Sequence, residues 1–293
     1  MSRSPFRVSF MHGWVSAFLF ALTLSSGCGV LNASESDTWV LIVCTSRYWF
    51  NYRHEANALA MYKQARRLGV EDDHIVFMSS LDASDDPRNP FPGYMFTANH
   101  NPLEQHQNAR AKAESISLDT HTFYKQGSTH VEMDYRGEDC NSDNFLRVLT
   151  GRHAPDTPLS KRLQSTRNSK VLVYLSGHGG DGFLKFHDQQ ELSSADLAYA
   201  LQQMWLYGRY GELLLIIDTC QASSLAEHLS AATPHVSYIS SSNVGENSYA
   251  YDTNYWLGLA VMDRFTFQVH SFLSEKLPSR RAAGQPAPAQ KAR

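Results

Sequence analysis

The sequence predicts an α/β protein: a doubly wound, mostly parallel sheet with helices on both faces. Three observations lead to that class. Four short runs, 39–44, 74–79, 170–176 and 212–218, are almost continuously apolar instead of alternating, as strands buried on both faces are. Stretches with apolar residues at helical spacing lie between them, and strand–helix alternation points to a parallel sheet with crossover helices. The 293 residues are 42% hydrophobic and 12% aromatic, enough for a large core and too apolar for a disordered chain.

The first element is not part of that core. Arg3 and Arg7 precede an apolar run at 15–24 and a small-residue stretch at 25–29, the anatomy of a secretory signal with cleavage between residues 27 and 34. The run is too short for a membrane span. Leu24-Ser-Ser-Gly-Cys28 offers a second reading, a bacterial lipoprotein box, and Asn32-Ala-Ser34 is a formal glycosylation sequon. Residues 1–34 are therefore set apart as signal and cleavage region and 35–277 as one domain. Residues 278–293, rich in Pro, Ala, Gln and Lys/Arg, are set apart as a flexible tail.

Within the domain, strand 39–44 leads into a helix over 52–68. Leu59, Tyr62, Ala65 and Leu68 keep helical spacing there, and Gly69 takes the C-cap position. Strand 74–79 precedes an irregular stretch, 82–135, whose length and Pro, Asn, Gln and His content suggest a functional loop. Further helices are expected at 143–149, at 195–207 behind an N-cap Ser194, and at 256–277. Strands 170–176 and 212–218 flank the second of these, and 236–241 is a shorter fifth strand.

Composition excludes several function classes. With 26 Lys+Arg against 29 Asp+Glu the net charge is −3, so no basic field recruits nucleic acid. Four cysteines are too few for a disulfide scaffold. Loss of Cys28 with the signal leaves Cys44, Cys140 and Cys220, an odd number that in an oxidising lumen suggests a reactive thiol or an intermolecular bond.

Ligands of open α/β sheets bind outside the carboxyl ends of the strands, so the residues that follow each strand carry the chemistry. Strand 170–176 is followed by Gly177-His178-Gly179-Gly180, and strand 212–218 by Thr219-Cys220-Gln221. One crossover helix separates the two, so a right-handed unit can set both side chains above one sheet edge. A thiol needs a base to become a nucleophile near pH 7, and an imidazole within hydrogen-bond reach can take its proton and pass one to the leaving amine. The glycines let a substrate backbone approach and free the Gly179 amide as an oxyanion donor. Asn51, after the first strand, is the candidate that orients the ring.

A zinc site built from His178, Asp181, His187 and Cys220 is the competing reading, although no close pair such as Cys-x-x-Cys accompanies them. Cys44, inside a strand, reads as a buried structural thiol. Cys140, between Asp139 and Asn141, reads as exposed, with a pKa raised by its acidic neighbour.

Longer strings sharpen this. Residues 44–57 (Cys-Thr-Ser-Arg-Tyr-Trp-Phe-Asn-Tyr-Arg-His-Glu-Ala-Asn), 144–152, 176–186 and 212–222 together resemble the legumain-like cysteine peptidases, which share the caspase-like α/β fold. The Phe50-Asn-Tyr-Arg-His54 block with Gly182-Phe-Leu-Lys-Phe186 points to the branch of glycosylphosphatidylinositol (GPI) transamidase catalytic subunits. The resemblance runs from about residue 39 to 273.

It implies Cys220 as nucleophile, His178 as general base and acid, Asn51 as the residue orienting it, and the amides of Gly179 and Cys220 as oxyanion donors. Arg53 and His54 match substrate-pocket positions, and Ser241 and Ser242 match a strand that pairs with substrate backbone. Asp72, Glu132 and Asp134 match positions that hold a structural calcium ion, an acidic loop face being the alternative; no cofactor is required for the chemistry. The implied activity is cleavage of a precursor's C-terminal signal through a Cys thioester and transfer to the ethanolamine amine of GPI, in the endoplasmic reticulum lumen. The chain itself would be soluble and held at the membrane by the other subunits of a complex. A legumain-like Asn/Asp-specific endopeptidase and an inactive precursor-binding scaffold are the rival readings. Two departures stand out: the chain stops in a Pro/Ala tail where many relatives continue into a membrane helix, and Asp85 and Asp86 precede Pro87-Arg-Asn-Pro90 where many relatives have a Cys bonded to a partner. Cys140 is the candidate substitute for that bond.

Overall fold

A computed structural model describes residues 37–96, 122–124 (backbone only), 131–229, 232–251 and 253–277. The expected signal (1–34), with Cys28 and Asn32, and the expected tail (278–293) lie outside the described residues. Among the described residues no helix is long and apolar enough to cross a membrane.

The apolar runs form the centre of one sheet. Strands β1 (Thr38–Cys44), β2 (Ile75–Ser79), β6 (Lys170–Ser176), β10 (Glu212–Asp218) and β11 (Val236–Ser240) join the short β5 (Tyr135–Arg136) in the order β11-β10-β6-β1-β2-β5. Every neighbouring pair is parallel. The sheet grows from β1 toward β2 in one direction and from β6 toward β11 in the other, so its topological switch point lies between β1 and β6.

Strand alternation feeds two helical layers. Leu41, Val43, Val171, Val173, Leu175, Leu213, Leu215 and Ile217 share one core with helices α2 (Ser142–Thr150) and α3 (Ser194–Leu206), through Phe145, Val148, Leu197, Leu201 and Met204. Residues of opposite parity face helices α1 (Tyr52–Arg67) and α4 (Arg264–Lys276): the Tyr174 hydroxyl lies 2.6 Å from Thr266 Oγ1 on α4. Each fully buried aliphatic side chain contributes about 1.5–3 kcal/mol, which makes the central strands the most stable part of the fold.

The ends of the helices follow from local chemistry. Gly69, at φ 93°, closes α1 in a Schellman pattern, with Val70 N–H donating to Ala65 O and Gly69 N–H to Arg66 O. Asn141 caps α2 by accepting from the Asn144 amide at 2.8 Å. The cap of α3 is Ser193, not the expected Ser194: its Oγ accepts from the Asp196 amide at 3.0 Å.

The last helix is shorter than the sequence suggests. Residues 253–260 instead form a two-stranded hairpin, β12 (Thr253–Asn254) against β13 (Leu259–Ala260), and α4 begins at Arg264. Gly258 at φ 71° is left-handed and ends any helix there. The irregular stretch 82–135 likewise holds a small ribbon, β3 (Tyr94–Phe96) paired with β4 (Thr122–Tyr124), as well as β5. A third small sheet, β7 (Gly179–Gly180), β8 (Phe183–Phe186) and β9 (Gln190–Ser193), runs from His178 to the start of α3.

Candidate active site

Register places the chemistry. Cys44, Ser176 and Asp218 are Cα partners across β1, β6 and β10, so the three strands end level and their following loops start side by side. Adjacent strands lie about 4.8 Å apart, which sets the spacing of those loops. The Gly177 amide donates to Asp218 O at 3.3 Å and the Thr45 amide to Ser176 O at 2.9 Å, binding each turn to the next. The glycines around His178 are required by this packing. A Cβ on Gly177 would overlap Thr45 Oγ1, and one on Gly179 would sit 2.6 Å from Thr219 Oγ1. His178 and Cys220 therefore leave adjacent strands at one level of the carboxyl edge.

The imidazole tautomer follows from its partner. Asn51 is buried in the short 3₁₀ turn Trp49–Asn51, and its Nδ2 donates to Arg47 O at 2.6 Å. A carbonyl can only accept, so the amide orientation is fixed and Oδ1 faces His178 Nε2, 2.8 Å away. Nε2 carries the proton and Nδ1 is left as a free base. Burial, then the nearby Arg53 guanidinium, lowers the His178 pKa, so the ring is neutral near pH 7. We expect Asn51→Ala to leave the fold intact and lower turnover roughly 10²-fold, measured as kcat with a saturating peptide, because both tautomer and ring position are released.

Cys220 sits half-buried in a tight turn at the end of β10. Gln221 is left-handed at φ 52°, and amides on both sides of the cysteine are anchored: Thr219 to Ser241 Oγ (3.1 Å), Gln221 to Glu246 O (2.8 Å) and Ala222 to Ser242 Oγ (3.0 Å). The hydroxyls of Ser241 and Ser242 also donate to Thr219 O. These two side chains thus hold the turn that carries Cys220, a role the sequence does not suggest. The outer side of β11, which leads into them, has no strand neighbour among the described residues.

Arg53 and His54, on the first turn of α1, meet a group that sequence reasoning missed. Asp263 Oδ1 accepts from Arg53 Nε at 3.0 Å, and Oδ2 accepts from Asn57 Nδ2 at 2.6 Å. The Asp263 amide donates back to Asn57 Oδ1. His54 is buried, with Nδ1 2.8 Å from Ser46 Oγ, Nε2 3.7 Å from Asp263 Oδ2, and its ring edge-on to that of His178 at 4.8 Å. It supports the His178 ring from below, while Arg53 keeps a partly exposed head.

Asp218, at the end of β10, accepts from Thr266 Oγ1 (2.6 Å) and Ser248 Oγ (2.8 Å). Burial raises both carboxyls. For Asp263 the Asp218 charge adds to it and Arg53 opposes it, leaving the group pushed up to about 7. Burial, Arg53 and His178 hold His54 well below the ordinary imidazole value.

The remaining expectations fare differently. Cys140 is fully buried instead of exposed: the Gly137–Asp139 turn and the cap of α2 fold it inward, where its Sγ donates to Cys44 O at 3.4 Å. Burial, not an acidic neighbour, pushes it up to about 12, and a thiol so enclosed cannot reach a partner chain. Cys44 is also buried and raised, by burial first. Cys220 is the accessible one of the three described cysteines.

Among the described residues no three His, Cys, Asp or Glu side chains converge on a metal site. The zinc set suggested by the sequence includes His187, which is buried with neither ring nitrogen hydrogen-bonded. Of the calcium candidates, Asp134 Oδ2 accepts from the Phe77 amide, Asp72 Oδ1 accepts from the Tyr62 hydroxyl, and Glu132 is exposed. Among the described residues the three do not converge as a ligand set.

The profile of the peptidase C13 family matches residues 38–271, the stretch that contains every element of this site. The chain belongs to the peptidase C13 family. The caspase-like α/β architecture expected for it is the one observed. This C13 chain is 43% identical over 247 residues to the GPI-anchor transamidase of Homo sapiens and to that of Mus musculus, covering 84% of its own length. It is 40% identical over 248 residues to the GPI-anchor transamidase of Schizosaccharomyces pombe, covering 85%. The chain spans 57% of the length of the two mammalian proteins and 59% of the yeast one.

Proposed function

We propose that this C13 chain is the catalytic subunit of a GPI-anchor transamidase. The observation that carries the reading is the Asn51-held imidazole, its Nδ1 free, leaving the strand next to the one that presents Cys220. The similarity to proteins named GPI-anchor transamidase supports the choice of reaction within the family.

In the first half-reaction His178 Nδ1 takes the Cys220 thiol proton, and the thiolate attacks a carbonyl near the precursor's C-terminus. The oxyanion is met by the amides of Gly179 and Cys220. Nδ1 then gives its proton to the departing amine, the C–N bond breaks, and a thioester remains. In the second, the ethanolamine amine of GPI attacks that thioester, Nδ1 accepts its proton, the C–S bond breaks and the new amide leaves. Arg53 and His54 would shape the pocket for the residue at the anchor site, and backbone at Ser241 and Ser242 would align the precursor. The reaction is placed at the endoplasmic reticulum membrane, with partner subunits holding the chain there and excluding water during the second step.

Hydrazine tests this. Added to membranes bearing the complex, this small amine should yield precursor ending in a hydrazide, released without lipid. Free acid as the main product under saturating hydrazine would assign an Asn/Asp-directed hydrolase instead.

A further inference from the structure

Gly179 and Cys220 lie on different loops, and one buried side chain bonds to both. We infer that Ser224 is a positioning residue: its hydroxyl ties the turn that carries Cys220 to the hairpin that carries Gly179. It thereby sets the spacing of the two amides that meet the oxyanion. The inference rests on the assignment of those amides in the reading above.

Local chemistry gives Ser224 its place. After Cys220 the backbone passes through the left-handed Gln221 into a 3₁₀ helix, Ala222–Ala226. The Ser224 amide donates to Gln221 O at 3.0 Å, which closes the turn, and the side chain is left only 1% exposed. On the facing loop, His178 opens the hairpin of β7 and β8. Its tip, Asp181-Gly182, lies between the paired Gly180 and Phe183. Gly182 is left-handed at φ 78°, as so tight a turn requires. The Gly182 amide sits off the ladder and needs an acceptor from another part of the chain.

Ser224 supplies that acceptor. Gly182 N–H donates to Ser224 Oγ at 2.8 Å. A hydroxyl carries one proton besides its lone pairs, and that of Ser224 faces Gln221 O at 2.6 Å and Gly180 O at 3.1 Å. Backbone from the hairpin and backbone from the Cys220 turn thus meet on a single oxygen atom.

A second contact removes the remaining slack. Gly179 packs directly on Thr219, the residue before Cys220, with no room for a Cβ between them. The hairpin is therefore pressed at its start by Thr219 and held at its tip by Ser224. His178 Nε2 is held separately, by Asn51. The imidazole and the oxyanion donors have different supports, and the two can be perturbed apart.

Donor spacing matters most when the carbonyl carbon turns tetrahedral and its oxygen takes up charge. Loosening it should lower kcat and leave KM, because the lost interaction belongs to the transition state. Both half-reactions pass through such an oxyanion, so cleavage and amine transfer should suffer alike.

The test uses the assembled complex in membranes, with Ser224→Ala and, as a control, Ser194→Ala. Ser194 is also buried and its amide donates to Gly182 O, but its hydroxyl meets His228 Nδ1 at 2.9 Å. Hydrazide and free acid released from a precursor are summed and read as kcat and KM, beside the rate of Cys220 alkylation by iodoacetamide at neutral pH. Ser224→Ala should lower kcat about tenfold and change KM less than about twofold. Alkylation should also change less than about twofold, since Asn51 and His178 still ionise the thiol. Ser194→Ala should leave all three values near wild type. An unchanged kcat, a risen KM in place of a fallen kcat, or alkylation slowed in step with turnover would each overturn the inference. So would an equal loss in Ser194→Ala, or a Ser224→Ala chain that no longer folds, which would make the residue structural. A wild-type complex that releases free acid alone would sink the transamidase reading and leave this inference standing, because hydrolysis crosses the same oxyanion.

Discussion

Cys220→Ala abolishes hydrazide formation, with a loss on the order of 10⁵-fold in rate and no change in the thermal unfolding midpoint. The size follows from the chemistry: without a sulfur no thioester forms, and neither hydrazine nor a lipid amine has an activated carbonyl to attack. The unchanged stability follows from packing. Cys220 is half-exposed, and its turn is held by backbone amides and by Ser241 and Ser242, none of which uses the thiol. The check is mass spectrometry of precursor incubated with hydrazine, beside a melting curve of the variant. Lipid attachment that survives in cells carrying only this variant would leave a precursor-binding scaffold as the function.

His178→Ala costs about 10³-fold in the same assay and slows alkylation of Cys220 at neutral pH, because the base that ionises the thiol is gone. The pH profile has a definite sign. Burial and Arg53 lower the His178 pKa from its ordinary 6.5, so the neutral base persists below that value. Activity limited by this base should hold as pH falls to 6.5 and drop only further down. Arg53→Gln removes a charge that disfavours the imidazolium, and should move the acid limb upward. Stability shares the direction: His178 and His54 resist protonation in the folded state, so both withdraw stability as pH falls below 6.5. Rates of the wild type and Arg53→Gln, measured from about pH 4.5 to about pH 8 to bracket the imidazole range, decide the matter.

The sheet was legible because its central strands are buried on both faces, and a run such as 212–218 is too short and too apolar to be anything but a buried strand. The juxtaposition of Asn51, His178 and Cys220 at one sheet edge was legible because each follows such a strand, and the strings around them resemble one family. Two- and three-residue strands such as β3, β12 and β13 were not, since so short a segment has no period to detect. The 256–277 run looked helical throughout because its apolar content does not change at Asp263; only the left-handed Gly258 and the contacts of Asp263 divide it. Asp263 itself was invisible for a simpler reason. Its partners Arg53 and Asn57 lie more than 200 positions upstream, and nothing local marks a carboxylate for burial. Cys140 misled because polar neighbours suggest a surface, whereas a 3₁₀ turn and a helix cap point one residue inward between them.

The level ends of β1, β6 and β10 have a further consequence. Asn51, His178 and Cys220 ride on three contiguous hydrogen-bonded rails at the most protected centre of the protein, so small openings of peripheral segments leave their alignment untouched. Heat should then silence the chemistry only when the whole domain melts, and residual turnover becomes a direct count of molecules still folded.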